Sequence, residues 1–339
     1  MKLLVTGGAG YIGSHTTVQL LQGGHDVHVI DDLSNSERGT IDSISNLAGR
    51  EFEFSCGSVL DKGFLSRVFK NNDFDAVIHF AALKDVNDSL NQPLKYYQTN
   101  VTGTLNLCEV MEDAGVYNLL FSSSAAVYGN AEHTPITEKS PTVEPLTPYG
   151  KTKLMAEKVL TDIGRSSTQW KIIILRYFNP VGAHESGLIG ESLKQSPTNL
   201  MPVILNVAAG NNAKLSVFGN DYPTEDGTCI RDFIHVQDLA SGHIKATEYM
   251  HTTEFSEPAK IFNLGTGNGY SVMQLVKAFE LESKQPVPID IVDRREGDIA
   301  ISWADPSAAK KELGWKATRN LNDMCRDSWN FYCEQYLNG

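Results

Sequence analysis

No stretch of the chain is apolar over the ~18 residues that a membrane-spanning helix requires, so no transmembrane segment is expected. The first strand is expected to begin at Lys2, which leaves no room for a secretory signal. Cysteine is scarce: Cys56, Cys108, Cys229, Cys325 and Cys333 are odd in number and scattered, with no CxxC pair. That excludes a disulfide framework and a structural zinc site and fits a reducing, cytoplasmic setting. The nine histidines form no HExxH or similar ligand set, so no metal is expected. Positive charge is short as well, with 29 Lys and Arg against 41 Asp and Glu and a formal net charge of -12. Such a molecule repels nucleic acid and anionic membranes, and an anionic ligand needs a local cluster of donors against that field. Tandem repeats and low-complexity tracts are also missing.

What is present is an ordinary globular composition, 41% hydrophobic and 21% charged over 339 residues. At roughly 150 residues per domain, that length suggests two lobes. Strand and helix signals alternate through the first half. Strands are expected at 2–6, 26–30, 52–54, 75–80, 118–122 and 171–178, with helices at 11–22, 100–114 and 149–162. This order predicts an α/β fold, a doubly wound parallel Rossmann sheet with helices on both faces. After Asn179 the pattern breaks. Residues 180–232 and 281–300 read as irregular, 233–250 as regular, and the tail as helical, which predicts a smaller mixed α/β substrate-binding lobe.

Gly7-Gly8-Ala9-Gly10-Tyr11-Ile12-Gly13 sits between the first strand and the first helix. Glycines here permit the tight turn and let a pyrophosphate reach backbone N–H groups at the helix start. Asp31 closes the second strand near the spacing, about 20 residues, of a ribose-binding acid. A carboxylate facing a 2′-phosphate costs roughly 4 kcal/mol per charge pair near a protein surface, and the nearest following arginine is Arg38. The cofactor predicted is therefore NAD, not NADP.

Ser122-Ser123-Ser124 ends the fifth strand, at the carboxyl edge where such sheets bind ligands. Tyr149 and Lys153 open the following helix and project from one face. A phenol with a reference pKa of about 10 is a poor base; a cation within reach lowers it by ~1–3 units. Tyr149 is thus the expected general base, Lys153 its tuning cation and Ser124 the hydroxyl that orients the substrate. A Tyr-x-x-x-Lys pair alone reads more readily as an exposed helix face; the Ser-rich strand end and the glycine loop reverse that.

Over essentially its whole length the sequence resembles the extended short-chain dehydrogenase/reductase superfamily, and within it the UDP-glucose (UDP-galactose) 4-epimerases. The matching segments are 5–15, 77–82 (Val-Ile-His-Phe-Ala-Ala), 149–153, 175–183 (Leu-Arg-Tyr-Phe-Asn-Pro-Val-Gly-Ala) and 219–228 (Gly-Asn-Asp-Tyr-Pro-Thr-Glu-Asp-Gly-Thr), the last two being the most specific. Segments 231–236 and 294–298 extend the match. The resemblance implies NAD-dependent inversion at C4 of a UDP-hexose through a transient 4-keto sugar, with a cofactor that copurifies. It implies NAD contacts from Gly7, Gly10, Tyr11, Ile12, Gly13, Asp31 and Asp32. Further NAD contacts are implied for Ser58, Val59, Phe80, Ala81, Ala82, Lys84, Ser122, Tyr149, Lys153 and Tyr177. Around the UDP-sugar it implies Ser124, Asn179, Asn199, Leu200, Phe218, Arg231, Arg295, Asp298 and Ser302. Without it, Lys84 reads equally as a solvated lysine, Arg231 and Arg295 as surface ion pairs, and Asn179 as a cap or turn residue. An NAD-binding unit at 1–180, with a return segment about 233–264, and a UDP-sugar lobe at 181–232 and 265–339 are implied too. So is a homodimer built from the helices near 100–114 and 149–162; their apolar stripes leave open whether they face the sheet or a second subunit.

Three positions depart from the common pattern. Ser58 stands where an aspartate receives the adenine amino group, and Thr99 where asparagine is frequent. Ser302 aligns with a gate beside the sugar 2-position, where tyrosine admits only a hydroxyl and a small residue admits an N-acetyl group. UDP-GlcNAc and UDP-GalNAc are therefore expected substrates as well, the alternative being that Ser302 is a plain loop residue. A 4,6-dehydratase on this fold carries Asp-Glu after its catalytic Ser or Thr; here Ala125-Ala126 follow Ser124 and cannot move protons. A non-catalytic dinucleotide sensor often lacks the Tyr or the Lys, and this chain has both.

Overall fold

The computed structural model describes residues 1–193, 199–254, 257–295 and 298–337. Glu296 and Gly297 of the 294–298 segment, and 194–198 of the expected sugar lobe, lie outside them. Six strands follow one another along the first half: β1 (Lys2–Thr6), β2 (Asp26–Asp31), β3 (Glu53–Cys56), β4 (Ala76–His79), β5 (Asn118–Ser124) and β6 (Lys171–Tyr177). A seventh, Lys260–Leu264, returns from far along the chain and pairs with β6, Ile261 opposite Ile174. The sheet order is Lys260–Leu264, β6, β5, β4, β1, β2, β3, with every pair parallel. Strand order reverses between β1 and β4, so their carboxyl ends diverge into a crevice.

Successive strand residues face opposite sides, and both sides are covered. Leu3, Val5, Leu120 and Leu175 belong to one core, beneath helix α1 (Tyr11–Gln22) and the helix Val236–Thr252. Leu4, Val77, Leu119 and Ile174 belong to the other, against the helices Lys62–Lys70, Gly103–Asp113 and Pro148–Ser166. This is why the strands read as continuous apolar runs.

The expected strands are all present, within a residue or two. Helices Gly39–Ala48 and Lys62–Lys70 were not expected. The second carried a legible signal, since Asp61 caps it by accepting from Phe64 N at 2.8 Å; the first has no side-chain cap and opens on glycine. The helix expected from Asn100 begins earlier: Pro93–Tyr96 leads through a π-helical turn, Tyr97–Thr102, into Gly103–Asp113.

Beyond Asn179 there is more order than the sequence suggests. Leu200–Ala208 is a helix and Ile289–Val292 a strand, paired in parallel with Leu215–Phe218. With helices Val272–Ser283 and Leu321–Tyr332 they enclose a separate core that includes Met201, Ile204, Leu275, Phe279 and Met324. Both of those helices start with a capping box, Ser271 with Gln274 and Asn320 with Asp323. Buried carboxylates tie this region to the helix Val236–Thr252 and to the strand Phe233–His235 that precedes it. Asp238 accepts from Thr318 N, Thr318 Oγ1, Arg319 N and Arg319 Nη1 at 2.7–3.0 Å. Asp327 bonds His235 Nε2 at 3.1 Å, so His235 is a satisfied core residue.

Candidate active site

At the switch point, β1 gives way to a loop that only glycine can build. Gly7 has φ +70, and a Cβ there would stand 2.6 Å from Ala81 N, on the loop that leaves β4. A Cβ on Gly13 would stand 2.2 Å from Gly7 O. Gly10, the residue that precedes α1, offers no side chain to cap it. The first N–H groups of α1 therefore open onto the crevice, as an anionic diphosphate requires. A dinucleotide fits the cradle on these grounds.

Asp31, 8% exposed, ends β2 beside this loop. One carboxylate oxygen accepts from Ala9 N at 3.0 Å, the other from Leu33 N at 2.9 Å and Ser36 Oγ at 2.8 Å. Burial pushes its pKa up while these three donors pull it down. Asp32 is exposed and accepts from Ser34 within its own turn. Ser58 follows the end of β3; its hydroxyl accepts from Leu60 N at 3.3 Å, and Val59 is buried against Gly103. Ile12 is half-buried in the first turn of α1, and Tyr11 donates to Gly182 O at 2.6 Å.

Phe80, Ala81 and Ala82 leave β4, Phe80 packing on His243 and Ala81 N donating to Thr6 Oγ1 at 3.3 Å. Behind them runs a buried chain of hydrogen bonds. Thr104 Oγ1 spends its proton on Asn100 O, so it accepts from His79 Nε2 at 3.0 Å. That tautomer leaves His79 Nδ1 to accept from Thr6 Oγ1 at 2.6 Å. Burial, with Lys153 adding to it, pushes His79 down to about 3, so the ring is neutral. Asn100 spans the gap: it holds Leu83 at both N and O (2.8 and 3.0 Å) and donates to Thr152 Oγ1, which donates to Tyr149 O at 2.7 Å. The loop that leaves β4 and the helix bearing Tyr149 are thereby joined by hydrogen bonds. Nothing in the sequence sets Asn100 apart from the other polar residues of this helical run, such as Thr102, Thr104 and Asn106.

Tyr149, Lys153 and Ser124 meet at the carboxyl end of β5. Thr147 caps the helix Pro148–Ser166, with Pro148 in its first turn. Lys153 is 4% exposed; its Nζ donates to Ser122 O at 2.7 Å and lies 5.0 Å from the centre of the Phe121 ring. Burial pushes its pKa down to about 8, against an upward pull from Glu157. The phenol of Tyr149 differs from expectation. Burial raises its pKa, and the hydroxyl of Ser124, not Lys153, draws it back. The ammonium is engaged by the Ser122 carbonyl, so the protein's own groups do not bring the phenol to neutrality. Tyr177 lies alongside, its hydroxyl donating to His243 Nε2 at 2.8 Å because His243 Nδ1 is committed to Leu239 O.

Across the crevice the sugar-side residues fall into three groups. Asn179 is exposed in a strand held against Phe233–His235. Asn199 precedes Leu200 at the helix start and donates to Glu191 Oε1 at 2.8 Å; Lys84 Nζ reaches the same oxygen at 2.5 Å. One carboxylate thus joins an expected cofactor residue to an expected substrate residue, and Glu191 went unnoticed in the sequence. The Arg295 guanidinium stacks 3.8 Å from the centre of the Phe218 ring. Arg231 Nη1 donates to Ile230 O and Ile299 O, with Asp298 Oδ1 3.7 Å from Nη2. Ser302 pairs with Arg231 in adjacent parallel strands. Below them Asp232, fully buried, accepts from Thr266, Gly267 N and Ala304 N and so anchors the Ser302 strand.

A family model described as GDP-mannose 4,6 dehydratase matches residues 4–328. A UDP-glucose 4-epimerase of Bacillus subtilis is 52% identical over 331 residues, 98% of this chain and 96% of that protein. The crystal structure of UDP-glucose-4-epimerase from Stenotrophomonas maltophila with bound NAD and formylated UDP-arabinopyranose superposes with TM-score 0.97 at 47% identity, covering 100% of both chains. That of a Bifidobacterium longum UDP-glucose 4-epimerase in complex with NAD+ and UDP gives 0.95 at 44%, covering 99% of each. The family model carries a dehydratase's description, but Ala125 and Ala126 form a short 3₁₀ turn after Ser124 and present no proton-transfer group there. Gly13→Ala is expected to lower stability by about 1–3 kcal/mol through overpacking and to strip dinucleotide from the purified protein, read by thermal unfolding and by the dinucleotide released on denaturation.

Proposed function

The chain belongs to the UDP-glucose 4-epimerase family of extended short-chain dehydrogenases/reductases and is an NAD-dependent UDP-hexose 4-epimerase; from the residues of its site we propose how it works and on which sugars. The observation that carries the reading is the convergence of Tyr149, Ser124 and Lys153 at the carboxyl end of β5, across the crevice from the glycine loop. The first turn of α1, Asp31 and Lys84 hold NAD. Bound NAD supplies reversible hydride exchange with the sugar C4. Tyr149 removes the proton of the 4-hydroxyl and returns it, Ser124 orients that hydroxyl, and the Lys153 ammonium supports the phenolate as it forms. The phenol's raised pKa is consistent with a base that works only once a cationic ring lies beside it.

Arg231 and Arg295 bind the diphosphate, where a guanidinium fork bonds oxygens in pairs, and Phe218, Leu200, Asn199, Asn179 and Asp298 shape the nucleotide site. They provide the local donors that the net charge of -12 makes necessary. Ser302, half-buried beside Arg231, leaves space at the sugar 2-position, so UDP-GlcNAc and UDP-GalNAc are substrates too. The NAD-binding unit is 1–180 with 233–264, supported by the return of Lys260–Leu264 to the sheet, and the rest forms the sugar lobe.

Two molecules pair through the helices near 100–114 and 149–162. Leu94, 79% exposed, with Leu90, Leu105 and Met155, makes an apolar surface on that side which water disfavours. The enzyme works in the cytoplasm: among the described residues no helix is long and apolar enough to cross a membrane, and the five cysteines are free.

Three measurements test this. With UDP-galactose and a coupled assay for UDP-glucose, Tyr149→Phe is expected to reduce kcat by roughly 10²–10⁴-fold; wild-type turnover by that variant contradicts the assignment. Ser302→Tyr is expected to abolish UDP-GalNAc turnover and spare UDP-galactose; equal loss of both removes the gate. Leu94→Glu is expected to halve the mass found by light scattering, and a wild type already monomeric excludes the dimer.

A further inference from the structure

Glu157 lies on the same helical face as Tyr149 and Lys153, one further turn along the helix Pro148–Ser166. It is 4% exposed, as is Arg176 on β6. The two form a bidentate pair, Arg176 Nε to Glu157 Oε1 at 3.0 Å and Nη2 to Oε2 at 2.6 Å. Ser123 Oγ donates to Oε1 at 2.5 Å. Ser123 stands opposite Arg176 in the β5–β6 register and between the two residues that serve the site. Ser122 carries the carbonyl that receives Lys153, and Ser124 the hydroxyl at the phenol. A buried ion pair is a poor source of stability compared with apolar packing, so its place directly behind the reacting groups calls for another account.

We propose that Glu157 is a positioning residue for the proton transfer: clamped by Arg176 and Ser123 one helical turn from Lys153, its carboxylate keeps the ammonium charged and the end of β5 in place. This rests on the assignment of Tyr149 and Lys153 above. The groups that face Lys153 from the packed elements leave Glu157 as its one anionic neighbour among them. From β4 comes His79, which is neutral; from β5 the Phe121 ring and the Ser122 carbonyl; from β6 Arg176 and Tyr177; from its own helix Tyr149 and Glu157. His243 is bonded to Tyr177, while the Lys153 ammonium is bonded to Ser122 O. Burial opposes the ammonium and Glu157 favours it, the two causes found for its pKa of about 8. As pH rises through that value the cation is lost, and turnover falls with it.

The test is the pH dependence of kcat for UDP-galactose on NAD-loaded enzyme, with thermal unfolding followed in parallel. Glu157→Gln keeps the shape and an acceptor for Ser123 but drops the charge, and its alkaline limb is expected to move down by about one pH unit. Arg176→Met leaves the carboxylate uncompensated, and its limb is expected to move up. Opposite shifts support the role. Reduced kcat or stability in both with the limb unmoved overturns it, because a purely structural pair lowers amplitude at every pH. If one variant does not fold, the direction of the other decides. Loss of activity in Tyr149→Phe together with unmoved limbs overturns the role of Glu157 alone; an active Tyr149→Phe overturns the assignment beneath it.

Discussion

The buried run of hydrogen bonds from Ala81 N through Thr6, His79, Thr104, Asn100 and Thr152 to the carbonyl of Tyr149 is what makes one site out of two halves of a sheet. Strand order reverses at β1 and β4, and their ladder stops at Thr6 and His79, so it does not hold the loops that rim the crevice. Polar residues do it instead. Each hydroxyl in the run donates to one acceptor, and the neutral imidazole of His79 passes the direction along. A cationic His79 would donate from both nitrogens and collide with the Thr6 hydroxyl proton. Burial next to the Lys153 ammonium keeps that from happening, so the same desolvation that limits Lys153 protects the frame around it.

Desolvation recurs across the site with different results. It raises Tyr149, lowers Lys153 and raises Asp31. In each case a specific neighbour works against it: Ser124, Glu157, and the three donors around Asp31. Of the three, Lys153, at about 8, is brought nearest to neutrality, while the phenol of Tyr149 is left above its ordinary value.

The fold was legible where sequence and contact coincide. The runs 2–6, 118–122 and 171–178 are buried on both faces, and the glycines that open α1 are required by contacts of 2.2 and 2.6 Å that no side chain could survive. That Tyr149, Lys153 and Ser124 stand together was legible from spacing. What escaped was set by distant partners. Leu200–Ala208 falls in a stretch that reads as irregular, with Gly, Asn and Pro among short apolar runs, yet it packs into the core with Leu275 and Met324. Glu191, Asn100 and Glu157 are ordinary polar residues until folding brings Lys84, Leu83 and Arg176 to them. The tuning of Tyr149 by Lys153 was inferred from helical spacing, whereas the ammonium turns to the Ser122 carbonyl, a backbone group that spacing does not reveal.

The late return of Lys260–Leu264 has one more consequence. It is the border of the sheet on the β6 side, so Lys171–Tyr177, with Ile172, Ile173 and Ile174 in sequence, is covered by a segment synthesised some eighty residues later. Without it β6 would be an unpaired edge of the sheet. The sheet therefore cannot be completed until the helices Leu200–Ala208 and Val236–Thr252 have also been synthesised, so its last strand arrives with them in place.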